Sequence, residues 1–306
     1  MIEIYFKENF IRGVYFYMDY KKNLIINADD FGIHQYVNKA IIEGHNLGVI
    51  TSTSIIAQGN AFDNAVFLAK FCPNLKIGIH LTLVGEKLLE KSTKGSSLLS
   101  SNANKLRNGH TEFIKDYLFG KIKLIDIKRE LKAQVQKVLD SDIGSNITHF
   151  DSHQHLHVLP GIVDIIIDLA LEFNIKKVRV PSESIFFFGD YKANIGRIVG
   201  RTGLSCLAML ARRKFKMAGI SSPDNFFGML AGGNLREELL SNIIDKLPNG
   251  VSEVMVHPGF DDIILGKTFN WKYNWESEFQ ALKSRKIKEK IQNGRINLIS
   301  FAELNN

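Results

Sequence analysis

The chain has 306 residues, 45% of them hydrophobic and 23% charged, which suits a large globular domain and excludes collagen-like, coiled-coil and disordered chains. Its formal net charge is +7, and seven basic residues with no acidic one lie between Tyr191 and Pro223, so any anionic partner would meet that stretch rather than the whole surface. Two cysteines, Cys72 and Cys206, exclude a disulfide framework and fit a reducing compartment.

No run of about 20 apolar residues is free of charge, so no spanning helix is expected. Glu3, Lys7, Glu8 and Arg12 spoil a signal peptide. Residues 1–17 therefore read as an N-terminal extension before a single domain over 18–306, in a cytoplasmic protein. Residues 23–28 read as a buried strand and 36–46 as a helix, with Val37, Ala40, Ile41 and Leu47 near helical spacing. Residues 49–57 are strand-like, 60–71 helical and closed by Cys72-Pro73-Asn74, and 76–83 a third strand. A Ser/Asn/Lys/Gly-rich surface loop spans 92–107. A charged amphipathic helix over 126–141, a strand over 146–150, a helix over 161–173 and a short strand over 177–180 follow. Residues 182–233 break this rhythm and read as an apolar, basic insertion. The pattern resumes with a helix over 235–247, a strand over 252–256, one long charged helix over 279–292 and a last strand over 297–300. Alternating strands and helices predict an α/β protein with a parallel sheet, and about seven strands favour a TIM-like (β/α) barrel over an open sheet.

In parallel α/β folds, sites lie at the carboxyl ends of strands. Asp29-Asp30 follows the first strand, His80 the third, the run His149-Phe150-Asp151-Ser152-His153-Gln154-His155-Leu156-His157 the fourth, and His257-Pro258 the strand before residue 257. Six of the nine histidines stand at strand ends. Two imidazoles and a carboxylate suit a divalent metal with open positions. A second carboxylate can take a proton from the water such a metal activates, and a further histidine can protonate a leaving amine.

Each piece alone has a plainer explanation. An Asp pair after a strand often caps the next helix. A histidine between apolar neighbours, like His80, is often a hydrogen-bonded core residue. Four histidines and an Asp within nine residues have no ordinary packing reason, although not all can bind one ion, which leaves His155 and His157 as groups that orient ligands or start a helix.

Together these motifs resemble the YdjC-like carbohydrate deacetylases: Asn27-Ala28-Asp29-Asp30-Phe31-Gly32, Val49-Ile50-Thr51-Ser52-Thr53-Ser54, Gly78-Ile79-His80-Leu81-Thr82-Leu83, the histidine run 149–157, and Glu253-Val254-Met255-Val256-His257-Pro258. The resemblance covers residues 23–181 and 235–301. It implies a (β/α) barrel and metal-dependent hydrolysis of an N-acetyl group from an N-acetylated sugar. One divalent ion, Mg2+ or Zn2+, would be held by Asp30, His80 and His153, with Asp29 as general base and His257 as general acid. His34 departs from the small hydroxyl residue usual there. The long segment 182–233 is more similar to members acting on lipid-carrier sugars or encoded with hopanoid biosynthesis.

Were residues 192–216 helical, Arg197, Arg201, Arg212 and Lys216 would fall within an arc of about 100°. That predicts a basic face that either touches an anionic membrane at its inner surface or is merely solvated while the apolar face packs on the barrel or a partner subunit. Gly196, Gly200 and Gly203 weaken such a helix by about 1 kcal/mol each. Other metal-dependent amidohydrolases or phosphoesterases, and a non-catalytic sugar- or lipid-binding protein, are the competing classes. Nucleic-acid binding is disfavoured because the basic residues are not interleaved with stacking aromatics.

Overall fold

In the computed structural model, residues 22–90, 95–100 and 105–304 are described. The extension expected over 1–17 lies outside them. β1 (Lys22–Phe31) is buried from Leu24 onward, as the central strand of a parallel sheet must be. β2 (Ser52–Ile55), β3 (Lys76–Leu81) and β4 (Ile147–Ser152) extend the sheet on one side, and β6 (Gly250–Val256) and β5 (Asn225–Phe227) on the other. All these pairs are parallel, as is β7 (Ile296–Leu298) with the start of β1. Beyond β4, Phe150 N–H donates to Lys177 O and Arg179 N–H to Phe150 O; Val178 N–H donates to Ser221 O and Ser221 N–H to Lys176 O, all at 2.9 Å. Residues 176–179 thus bridge β4 towards the chain that enters β5. The sheet is a curled parallel half-barrel, consistent with a TIM-like barrel.

The helices follow their apolar periodicity. They are α1 (Gln35–Asn46), α2 (Phe62–Ala69), α3 (His110–Leu118), α4 (Leu124–Leu139), α5 (Ile162–Glu172), α6 (Ile195–Met217), α7 (Glu237–Asp245), α8 (Asp262–Phe269), α9 (Trp275–Lys283) and α10 (Arg285–Asn293). The single helix expected over 279–292 is two, α9 and α10. Ser284 leaves the helical region at ψ 130° and caps α10 by accepting from Ile287 N–H. Residues 225–227, read as insertion, are a strand of the sheet.

Within 182–233 the helix α6 runs unbroken through its three glycines, and Asn194 caps it by accepting from Arg197 N–H at 2.9 Å. It packs on α5 and on the turn His153–Val158. Of the four residues expected on its basic face, Lys216 is exposed, whereas the three arginines turn to carbonyls and hydroxyls of neighbouring loops. Arg197 donates to Tyr191 Oη and Leu230 O, Arg201 to Phe187 O and Ile185 O, and Arg212 to Pro223 O and Ser182 Oγ. Loop carbonyls without strand partners need donors, and these guanidiniums supply them. Among the described residues, no helix is long and apolar enough to cross a membrane.

Candidate metal centre

The tight turn after β1 sets the first ligand. Asp30 has φ 67°, a left-handed conformation rare for a residue with a side chain. Gly32 follows at φ 89°, and its N–H donates to Asn38 Oδ1 at 2.6 Å, which ties the turn to α1. Asp30 is buried, yet neither of its carboxylate oxygens has a hydrogen-bond partner among the described residues. His80 Nε2 stands 3.6 Å and His153 Nδ1 3.2 Å from Asp30 Oδ1, and the nearest atoms of the three residues lie within 4.8 Å of one another. Ligands about 2.0–2.2 Å from one ion sit roughly 3.0–3.6 Å apart, so these spacings are those of neighbours in a coordination shell.

The tautomer of His80 is fixed from behind. Its Nδ1 lies 2.9 Å from Asp151 Oδ1, and a carboxylate only accepts, so Nδ1 carries a proton, and in the neutral ring that a metal would require Nε2 would present its lone pair towards Asp30. Burial disfavours charge on His80, but Asp151, Asp29 and Asp30 outweigh it and raise its pKa to about 9. Burial pushes the Asp30 carboxyl up, but His153, His80 and His257 outweigh it and hold it at about 2. The cluster is thus a negative field that favours a cation at its centre.

Asp29 sits beside this cluster, with Oδ2 3.9 Å from His80 Nε2. It is gripped by a residue the sequence reading missed. The buried Arg179 donates to both Asp29 oxygens at 2.6 Å, to Glu253 Oε1 at 2.7 Å, and stands 2.8 Å from Asp151 Oδ2. Asn27 Nδ2 adds a bond to Asp29 Oδ1 at 2.9 Å. Burial, with Asp29 and Asp151 beside it, lifts the Glu253 carboxyl to about 7 even with Arg179 against it. The available signal was a lone charge in the apolar run Val178-Arg179-Val180.

His257 follows β6 and lines the same cavity, of about 400 Å3, as Asp29, His80 and His153. Its backbone N–H donates to the buried Glu278, while its Nδ1 has no hydrogen-bond partner among the described residues. The strand ends therefore bring all five expected residues to one mouth: three converge on a point, Asp29 adjoins them, and His257 faces the shared cavity.

The YdjC-like protein family model matches residues 23–293. The chain belongs to the YdjC-like family. It is similar to a carbohydrate deacetylase of Brevibacillus brevis, 30% identical over 92% of this chain and 99% of that one, and to one of Thermoanaerobacter pseudethanolicus, 26% identical over the same shares. Among solved structures it resembles a protein of Enterococcus faecalis V583 provisionally described as a cellobiose-phosphate cleavage protein, with TM-score 0.68, 25% identity, and coverage of 92% of this chain and 98% of that one.

The remaining histidines of this YdjC-like chain have distinct places. His34 caps α1, its Nδ1 accepting from Tyr36 N–H at 3.1 Å, the service a small hydroxyl residue also performs. His157 bonds through Nε2 to Arg179 O at 2.9 Å and through Nδ1 to Ser152 Oγ at 2.7 Å, which locks the chain entering the turn. His155 lines the cavity with Nδ1 unpartnered. Burial first, then Arg179, holds it neutral.

Proposed function

We propose that this protein is a metal-dependent N-deacetylase that hydrolyses the acetamide of an N-acetylated sugar, on a TIM-like barrel, with Asp30, His80 and His153 holding one Zn2+ or Mg2+ ion. The observation that carries the reading is the buried Asp30 carboxylate, without hydrogen-bond partners, facing two imidazoles beside a second, braced carboxylate. A mixed oxygen and imidazole set suits either ion. When bound, the ion would supply Lewis acidity, polarising the acetyl carbonyl and acidifying a water.

The protein's own residues do the rest. Asp29 is the general base. Arg179 and Asn27 fix its orientation, so its remaining lone pairs face the cluster without a reorganisation cost. His257 is the general acid that delivers a proton to the departing nitrogen. Glu278 anchors the backbone of His257 and lies 3.9 Å from its Nδ1. Water adds its hydroxyl to the acyl carbon, the C–N bond breaks, and acetate leaves beside a free amine. The names of the relatives support sugar deacetylation. Phosphoester cleavage fits less well, because the guanidiniums lining the cavity, Arg197 and Arg201, are already bonded to carbonyls.

The test is acetate release from N-acetylglucosamine and its short oligomers by protein loaded with Zn2+ or Mg2+. Acetate should appear stoichiometrically with free amine and cease after chelation. Cleavage of a phosphoester with no acetate from any N-acetyl sugar would overturn the reading.

A further inference from the structure

Asp29 and His257 serve the attacking water and the departing nitrogen, and neither serves the acetyl oxygen. Attack on the acyl carbon makes that oxygen an oxyanion, and a charge developing out of bulk water is stabilised by a donor already aimed at it. Arg197 and Arg201 line the cavity but already donate to backbone carbonyls.

Tyr273, between α8 and α9, lines the same cavity. Its ring stands edge-on to that of His257, with centroids 5.1 Å apart, and Trp271, two residues earlier, lies 5.2 Å from the ring of His153. This stretch therefore runs from a proposed metal ligand to the proposed acid. The Tyr273 hydroxyl is hydrogen-bonded to none of the described residues. The ring is held from behind. Gly233 has φ 78°, and a Cβ there would stand 2.1 Å from Tyr273 Cδ1. Asn274 N–H donates to Gly233 O at 2.7 Å, and Asn274 Nδ2 to Asn234 Oδ1. Tyr273 thus rests on bare backbone, with its orientation set by the fold. Burial, with Asp30, Glu278 and Asp29 against Arg197, raises its pKa, so the phenol keeps its proton and stays a donor. His155 also lines the cavity, but its ring packs edge-on to Phe226, 5.7 Å away, and not on the acid.

We propose that Tyr273 is a catalytic residue whose O–H donates a hydrogen bond to the acetyl oxygen as the tetrahedral intermediate forms. This deepens the deacetylase reading and rests on it. The water oxygen bonds to the acyl carbon, its proton passes to Asp29, and the carbonyl π pair moves onto the oxygen that Tyr273 faces. Tyr273 gives up no proton. When that pair returns to restore the carbonyl, the C–N bond breaks and the nitrogen takes the proton of His257.

The experiment uses Tyr273→Phe, which removes a single oxygen, in metal-loaded full-length protein. Acetate release from N-acetylglucosamine should slow about 10²–10³-fold in kcat, with metal content unchanged. Hydrolysis of 4-nitrophenyl acetate should slow by a similar factor, since it forms the same oxyanion while its phenolate leaves without a proton. Calorimetry separates this role from a structural one. The methylphosphonamidate of glucosamine, a tetrahedral anion, should bind about 10²–10³-fold more weakly to the variant, and N-acetylglucosamine equally well to both proteins. A kcat within about threefold of wild type would overturn the proposal and leave the deacetylase intact. An amide slowed while the ester is spared would make Tyr273 a proton donor, and equal weakening of sugar and analogue would make it a shaping residue; either result overturns the oxyanion role. Wild-type protein that releases no acetate would defeat the deacetylase reading and this proposal with it.

Discussion

A guanidinium with no exposed surface, bonded to Asp29 and Glu253 and set against Asp151, ties the proposed base to the carboxylate behind His80, because Asp151 also bonds to His80 Nδ1. Removing Arg179 would leave buried carboxylates without their cation. Arg179→Met should therefore cost about 3–5 kcal/mol in urea unfolding, the range for breaking a buried ion pair from one side. A loss under about 1 kcal/mol would mean that the carboxylates are compensated in another way. His257→Ala should slow acetamide cleavage about 10²–10⁴-fold and slow 4-nitrophenyl acetate, whose phenolate leaves without a proton, much less. Equal losses on both would remove the acid role. Asp29, Asp30, His80, His153 and His257 were legible in the sequence because each directly follows an apolar run, and strand ends share one mouth. Arg179 was not. Its partners lie up to 150 positions away in the chain, and only the closing of the sheet brings them together.

At the scale of elements, the histidine within β4 differs from those that follow it. His149 points into the core, stacked on Phe301 with ring centroids 3.6 Å apart. Gly78 on β3 gives it space, since a Cβ there would stand 2.3 Å from its Nε2. Burial, reinforced by Arg179, lowers the His149 pKa to about 3, against Asp151, which raises it. A depressed imidazole contributes stability that is present above the unfolded pKa of about 6.5 and is lost as pH falls from there towards 3. The urea midpoint of the wild type should fall more steeply between pH 6.5 and 4 than that of His149→Phe, by up to about 1.4 kcal/mol per pH unit from this group. Parallel profiles would show that His149 is not the linked group. The strands and most helices were legible from periodicity, which is local. The break at Ser284 was not, because charged residues on both sides continue the helical pattern through a serine that caps as readily as it propagates. Nor was the inward turn of Arg197, Arg201 and Arg212, because sequence spacing gives the face of a helix but not the loop carbonyls that await it.

For the whole molecule, the curled sheet makes separate strand ends into one cavity, and α6 closes that cavity from the side. The cavity is lined by the ends of β1, β3 and β6, by the chain after β4, and by α3 and α6. The central claim is that Asp29 is a base beside a metal held by other residues. It is tested most directly by kcat for acetate release and metal content per chain, measured together on wild type and Asp29→Asn. Asparagine keeps the shape of Asp29 but accepts no proton. The account predicts one ion per chain in both proteins and a kcat lower by about 10²–10⁴-fold in the variant. A fall of about tenfold or less with the ion retained would contradict it.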